Sequence, residues 1–255
     1  MKKYLILVAI TILLLTISAI FSYKYRKGIL TAKKYLTEKA IYRNQIVSDP
    51  LIDKIPKNEE EHIFGLDLSH HQQHINWDKV LENPPHFIIF KTTEGSSHTD
   101  TKCEKHIKEA KNKGILVGGY HFFSYQSSGK KQAHHFLKNL KLQKGDIIPV
   151  LDVEFSKNMH SDAWIKENIA AFISTIEQEI GIKPIVYCEI AYYNRFLRAK
   201  YGNEIHLWLS DFRSKPNKNF VFWQKTDKYK QTGIQGTVDY NLFNGTKEDL
   251  TTICY

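Results

Sequence analysis

Cysteine is scarce in this 255-residue chain: Cys103, Cys188 and Cys254 stand far apart. That spacing holds no Cys-x-x-Cys pair and no even-numbered framework, which excludes a ribbon-type zinc site and a disulfide-stapled scaffold. One disulfide remains open to an oxidising compartment. The His-Glu-x-x-His helix of zinc hydrolases is also missing, although His70, His71 and His74 cluster and His134 adjoins His135. No metal and no cofactor are therefore expected. Internal repeats and low-complexity tracts are absent as well.

Positive charge is scarce where a nucleic-acid binder would need it. The formal net charge is +9, but Lys2 and Lys3 supply +2 and the stretch from Lys24 to Arg43 supplies +6, leaving +1 for everything beyond. A nearly neutral body argues against nucleic acid as a partner. The basic excess instead flanks an apolar run from Tyr4 to Phe21, which has the length of a membrane span or a long secretory signal. Ile17 spoils the small-residue spacing that cleavage after Ala19 would need, and no cysteine follows to carry a lipid. An uncleaved signal-anchor over residues 1–23 is the expectation, and a cleaved signal peptide the alternative. Lys24, Arg26 and Lys27 outweigh Lys2 and Lys3, so a strict positive-inside count would hold the rest of the chain in the cytoplasm. That count conflicts with the activity argued below. Residues 24–62 read as a basic stalk and lead-in, with a short helix between Ile29 and Ile46, and residues 63–255 as the folded domain.

Within that domain strands and helices alternate. Ile63–Ser69 reads as a strand, Asn76 as the cap of a short helix to Leu81, and His86–Thr93 as a buried strand by its continuous apolar run. A helix follows over Asp100–Lys113, a strand over Ile115–Phe123 and a helix over Ser128–Leu142. The stretch Gly145–Phe155 is a fourth strand, Ser161–Ile180 a strong helix, Pro184–Cys188 a fifth strand and Ala191–Lys200 a last helix. Three strands then come without long helices: Ile205–Ser210, Phe220–Lys225 and Thr237–Leu242. Five strand–helix units followed by three strands predict an α/β fold, a closed TIM-like barrel of (β/α)5β3 type whose late helices are reduced.

Barrels of this kind carry their chemistry at the C-terminal ends of the strands. Asp152 and Glu154 are spaced i, i+2, so on a strand both face one way while Leu151 and Val153 face the other. Two carboxyls so close raise each other's cost of ionising, and one of them tends to keep a proton near neutral pH, as a general acid must. The same rule brings Asp67 and Ser69, Lys91 and Glu94, Tyr120 and His121, Tyr187, Trp208 and Asp211, Trp223 and Gln224, and Asp239 to one mouth. Carboxyls ringed by aromatics suit carbohydrate cleavage, where rings stack on sugar C–H faces and an acid protonates the glycosidic oxygen.

The ordered segments Gly65-Leu66-Asp67-Leu68-Ser69-His70-His71-Gln72, Lys91-Thr92-Thr93-Glu94-Gly95, Gly119-Tyr120-His121-Phe122, Gln132-Ala133, Pro149-Val150-Leu151-Asp152-Val153-Glu154, Trp223-Gln224 and Val238-Asp239-Tyr240-Asn241-Leu242-Phe243 together resemble the glycoside hydrolase family 25 lysozymes, the 1,4-β-N-acetylmuramidases. Cys103, His106 and Ser210-Asp211 depart from that pattern. The resemblance implies cleavage of the β-1,4 bond between N-acetylmuramic acid and N-acetylglucosamine in peptidoglycan. It implies Glu154 as proton donor, Asp152 as its helper, and Asp67 and Asp239 as further catalytic acids. Tyr120, Tyr187, Trp208, Trp223 and Gln224 are the candidates for substrate binding, and Glu94 is expected to hold the second strand's loop. The partners implied are peptidoglycan glycan strands and, through residues 1–23, a membrane. A monomer held in the cell envelope outside the cytoplasm is expected, or a secreted one if the signal is cut. A chitinase-like N-acetylglucosaminidase and a catalytically silent wall-binding module are the alternatives.

Overall fold

The computed structural model describes residues 62–141 and 143–255. The expected membrane segment and basic stalk lie outside them, His62 apart. Among the described residues no helix is long and apolar enough to cross a membrane.

Eight strands form the barrel: β1 (Phe64–Leu68), β2 (Phe87–Glu94), β3 (Leu116–Phe122), β4 (Val150–Asp152), β5 (Ile185–Glu189), β6 (Leu207–Ser210), β7 (Phe222–Tyr229) and β8 (Val238–Phe243). Each pairs with its successor, and β1 pairs with both β2 and β8, so the sheet closes on itself. A two-residue strand, His98–Thr99, adds to the mouth end of β2. Between the strands lie α1 (Trp77–Val80), α2 (Cys103–Asn112), α3 (Gly129–Leu140), α4 (Asp162–Ile180) and a composite α5, built from Ile190–Tyr192, a π-helical turn Tyr193–Leu197 and Arg198–Tyr201. A short α6 (Lys247–Leu250) follows β8.

Local sequence explains the element ends. Asn76 Oδ1 accepts from the Lys79 amide to start α1, and Ser161 Oγ accepts from the Trp164 amide to start α4. Gly181 ends α4 in the left-handed conformation at φ 76°, which only glycine adopts freely. Along α4, Ile165, Ile169, Phe172, Ile173 and Ile176 recur at three- and four-residue steps and are all buried.

The barrel is less uniformly parallel than the alternation predicts. β1 to β7 run parallel, whereas β8 is antiparallel to both β7 and β1. The hairpin between β7 and β8 needs no crossover helix, which is why none lies between these two strands. It also lets β7 run on to Tyr229, past the predicted end at Lys225, because Thr226 and Tyr229 keep pairing with Tyr240 and Val238. β4 is shorter than its apolar run suggests. Asp146 to Ile148 spend their backbone groups elsewhere: the Ile147 amide donates to Val117 and the Ile148 amide to the carbonyl of Ile253. The three cysteines are all free.

Period-two alternation sorts each strand into an inner and an outer face. Phe87, Ile89, Val150, Ile185, Trp208, Phe222 and Phe243 fill the barrel's interior, and Leu250 and Ile253 of the C-terminal turn join them. Gly65 is required there, because a Cβ at that position would strike the ring of Phe87. The outer faces of β1 and β2 pack Leu66, Leu68, Ile88 and Phe90 against Trp77, Val80, Cys103 and Ala110 of α1 and α2. A bulge in β2 between Lys91 and Thr93 alters the alternation. Residues three apart on a regular strand face opposite sides, but across the bulge Lys91 and Glu94 meet in a 2.6 Å ion pair.

The C-terminal turn thus closes the floor under the mouth, with Ile253 2% exposed. Ile253→Ala is expected to destabilise the protein by about 2–5 kcal/mol through lost burial and a residual cavity, measured by urea denaturation. A loss within the scatter of a surface substitution would show that the floor does not depend on this plug.

Candidate active site

The mouth is a cleft of about 390 Å³. Lining it are Asp67, Lys91, Tyr120, Asp152, Glu154, Tyr187, Trp208, Gln224 and Asp239. All four expected carboxyls are therefore together, but they arrive by different routes. Asp67 lies near the end of β1 and Asp152 ends β4. Glu154 stands two residues beyond β4, clear of the ladder. Asp239 is the second residue of β8, at the wrong end for a parallel strand, and reaches the mouth only because β8 is reversed. There it sits directly opposite Asp67 in the antiparallel register.

These two carboxyls hydrogen-bond each other, which requires a proton between them. Burial, then the charge of Asp67 and the bond to it, push Asp239 up to about 9. The proton therefore belongs to the Asp67–Asp239 pair rather than to either carboxyl alone. Asp67 Oδ2 also accepts from Asn241 Nδ2 at 2.8 Å and from Gln224 Nε2 at 3.2 Å. Those bonds favour its charged form but do not outweigh burial, which raises it as well. Gln224 in turn accepts from the Tyr187 hydroxyl at 2.7 Å, and Asn241 from the Trp208 indole at 2.9 Å. Tyr187, Trp208 and Gln224 thereby form a bonded network under the cleft; Trp208 is only 2% exposed and serves as floor rather than wall.

Asp152 is 8% exposed, and its Oδ1 has no hydrogen-bond partner among the described residues. Desolvation first, then the charges of Glu154 and Asp67, raise its pKa well above the ordinary carboxylate value. Glu154 presents its surface to the cleft, yet crowding by the walls, followed by the charges of Glu189 and Asp239, lifts it too. Lys91 opposes both shifts. Among the described residues it is the single lysine or arginine on a cleft that carries five carboxylate residues, Asp227 being the fifth. Its ammonium also lies 4.9 Å from the centre of the Phe122 ring. Glu94, expected to hold the loop after the second strand, is instead the last residue of β2 and anchors Lys91 there.

One expected binding residue is not brought to the cleft. Trp223 alternates with Phe222 and Gln224, so its side chain falls on the outer face of β7, where its indole donates to the Asp211 carbonyl at 2.8 Å. The dipeptide Trp223-Gln224 holds one cleft residue and one wall residue, a split that period-two alternation dictates. Asp211 likewise shapes a loop, its Oδ1 accepting from the amides of Arg213 and Ser214. Residues passed over as ligands in the sequence do line the cleft: Phe212, 53% exposed, Asp227, His71 and Gln72. An exposed phenylalanine after a strand leaves no periodic signal. His70 is held away by Asp100, which takes both its backbone amide and its ring Nδ1 and so fixes the loop that carries His71. His121 faces outward and is buried between Thr93 and Gln132, its pKa pushed down to about 4 by desolvation.

Comparison with known proteins identifies the family and the fold. The sequence profile described as glycosyl hydrolases family 25 matches residues 66–234. YegX of Escherichia coli K12 is 32% identical over 197 residues, covering 74% of this chain and 72% of YegX. Lysozyme M1 of Streptomyces globisporus is 26% identical over 212 residues, covering 75% and 71%. The structure of a family 25 glycosyl hydrolase from Bacillus anthracis superposes with a TM-score of 0.71 at 27% identity, over 79% of this chain and 98% of that one.

The Asp67–Asp239 pair sets a pH dependence. Asp239 moves from the ordinary 3.8 to about 9, so between those values the folded protein holds a proton that the unfolded chain has released. Stability must therefore fall as pH rises through that window. Asp239→Asn keeps a donor to Asp67 without a titrating group. It is expected to melt above the wild type at about pH 8 and to converge with it towards about pH 4, by calorimetry across pH. Parallel melting curves would refute the shared proton.

Proposed function

This chain belongs to glycoside hydrolase family 25, and from that membership we propose that it cuts the β-1,4 bond between N-acetylmuramic acid and N-acetylglucosamine in peptidoglycan, with Glu154 as proton donor. Glycoside hydrolysis and the lysozyme type of activity follow from the family itself. The particular bond and the residue roles are our reading. The observation that carries it is the pairing of a cleft-facing Glu154, its pKa raised by burial and by Glu189 and Asp239, with a buried Asp152 whose Oδ1 has no partner among the described residues.

Glu154 supplies a proton to the glycosidic oxygen as the bond to the anomeric carbon breaks. Burial and the neighbouring carboxyls raise its pKa, the direction a proton donor needs. Asp152 lines the cleft, and its unpartnered Oδ1 is an acceptor that suits the N–H of a 2-acetamido group and would turn that group's carbonyl oxygen towards the anomeric carbon. The Asp67–Asp239 pair, carrying one proton between two carboxyls, leaves further carboxyl oxygens as acceptors for sugar hydroxyls. Tyr120 and Tyr187 flank the acids, and the exposed Phe212 gives an apolar face for stacking.

The N-terminal organisation supports an exported enzyme. An apolar run over residues 1–23 and a basic stalk over 24–62 would hold the catalytic domain, residues 63–255, in the cell envelope as a monomer outside the cytoplasm, or release it if the signal is cut. That assignment overrides the positive-inside count at Lys24, Arg26 and Lys27, because the substrate lies outside.

Digestion of purified peptidoglycan, followed by borohydride reduction of the products, tests the bond. Reduced muramic acid is expected at the new ends. Reduced glucosamine would make the enzyme a glucosaminidase, and turnover of chitin oligomers alone would favour the chitinase-like alternative. Glu154→Gln is expected to lower kcat by at least about a hundredfold with an unchanged fold by circular dichroism; full activity in that variant would remove Glu154 from the donor role.

A further inference from the structure

Glu154 lies beyond the barrel ladder, and what aims it is therefore a separate question. The strand that delivers it ends at Asp152. The Val153 amide ties that segment to the barrel, donating to the Tyr187 carbonyl at 3.0 Å. One residue on, the Glu154 carbonyl accepts a 2.6 Å hydrogen bond from the hydroxyl of Tyr125, in the loop after β3. Tyr125 has a second partner, the hydroxyl of Tyr192 at 2.7 Å. A carbonyl cannot donate, so the single proton of Tyr125 is committed to Glu154. Tyr192 must then be the donor in the second bond. The hydroxyls form a relay with one direction, from Tyr192 through Tyr125 to the backbone of Glu154.

Both rings are held firmly. Tyr125 is 6% exposed and Tyr192 fully buried. Tyr125 packs edge-on against Phe123, and Tyr192 against Phe155 and Phe196. The loop bearing Tyr125 is pinned by buried Gln132, which accepts from the Ser124 amide and donates to the carbonyls of Ser124 and Ser127. Tyr192 sits where α5 passes into its π-helical turn, a widened geometry frequent near functional sites. Phe155, next in chain to the proton donor, lies against both Tyr192 and Phe196 of that segment.

We propose that Tyr125 and Tyr192 are positioning residues for the reaction: their hydroxyl relay fixes the backbone at Glu154 and so holds its carboxyl at the glycosidic oxygen. The proposal rests on Glu154 being the proton donor. Neither tyrosine lines the cleft, so neither touches substrate, and the effect belongs in kcat rather than KM. Misplacing a catalytic group by a fraction of its reach is costly even when the change is remote. Tyr192 acts only through Tyr125, so its loss adds nothing once the Tyr125 hydroxyl is gone.

Tyr125→Phe, Tyr192→Phe and the double variant, made in the full chain alongside wild type and Glu154→Gln, test this on peptidoglycan. Tyr125→Phe is expected to lower kcat roughly tenfold with KM within about twofold. Its basic pH limb should move to lower pH, because a looser Glu154 gains solvent. Tyr192→Phe should show a smaller loss, and the double variant should match Tyr125→Phe. If Tyr125→Phe does not fold, Tyr192→Phe alone decides, by the same kcat fall and limb shift. Wild-type kcat and pH profile in the folded variants, with only a lower Tm, would reduce the tyrosines to packing and overturn the proposal. An active Glu154→Gln would instead overturn the reading of Glu154, and the proposal with it.

Discussion

The antiparallel closure of β8 onto β1 is the constraint from which the cleft follows. The register sets Asp67 opposite Asp239, and Gly65 opposite Asn241, on one inner face. Shifting that register by one residue would turn Asp239, Asn241 and Phe243 outward and bring Val238, Tyr240 and Leu242 in. The cleft would lose an acid and a donor together, and the barrel floor would lose Phe243. Closure, core and chemistry therefore depend on one pairing. The same reversal allows β7 and β8 to be joined by a hairpin whose tip docks on α1, where the Asn76 amide donates to Gly233 and Gln231 reaches the carbonyls of Val80 and Asn83. A segment without helices is secured by backbone bonds instead.

Gathering so many carboxyls is unfavourable for folding, and the site limits the cost in two ways. Amide donors from Asn241 and Gln224 serve Asp67, and a shared proton removes one charge from the Asp67–Asp239 pair. Lys91 faces the other pair and is itself held by Glu94. Asp152 Oδ1 receives no such help. A buried acceptor without a partner costs on the order of 1–3 kcal/mol. The stability forgone at Asp152 is the kind of trade that active sites make.

Much of the fold is legible in the sequence because local rules and tertiary demands agree there. The apolar run of β2, the helical spacing of α4 and the caps at Asn76 and Ser161 each point to the element observed. The legibility fails where one residue's environment is set from far away. The reversal of β8 leaves no trace in its own alternation, since parallel and antiparallel strands alternate alike. The shortness of β4 depends on Ile253 taking the amide of Ile148, 105 positions upstream. Of the site, the four acids follow from spacing and resemblance. Trp223 shows how a motif can carry a position without its orientation: period two decides that Gln224 faces in and its neighbour out. Phe212 and Asp227 lie on stretches with no pattern to read, and the role of Lys91 depends on a bulge that no local signal announces.

The bulge in β2 and the early end of β4 are, physically, the same device. A regular ladder fixes the side chains it carries at intervals of two, which spaces groups too evenly for a cleft that needs an ammonium beside one carboxyl and a second carboxyl standing proud. Breaking the period in β2 brings Lys91 and Glu94 to one side; leaving the ladder after Asp152 lets Glu154 advance towards the opening while Asp152 stays buried. The two acids of one short sequence thus acquire different surroundings, one sealed and one exposed, and different surroundings separate the tasks of two like groups. Once a residue has left the ladder, however, its position must be specified by something else. For Lys91 that is Glu94, and for Glu154 it is a pair of buried hydroxyls behind the wall.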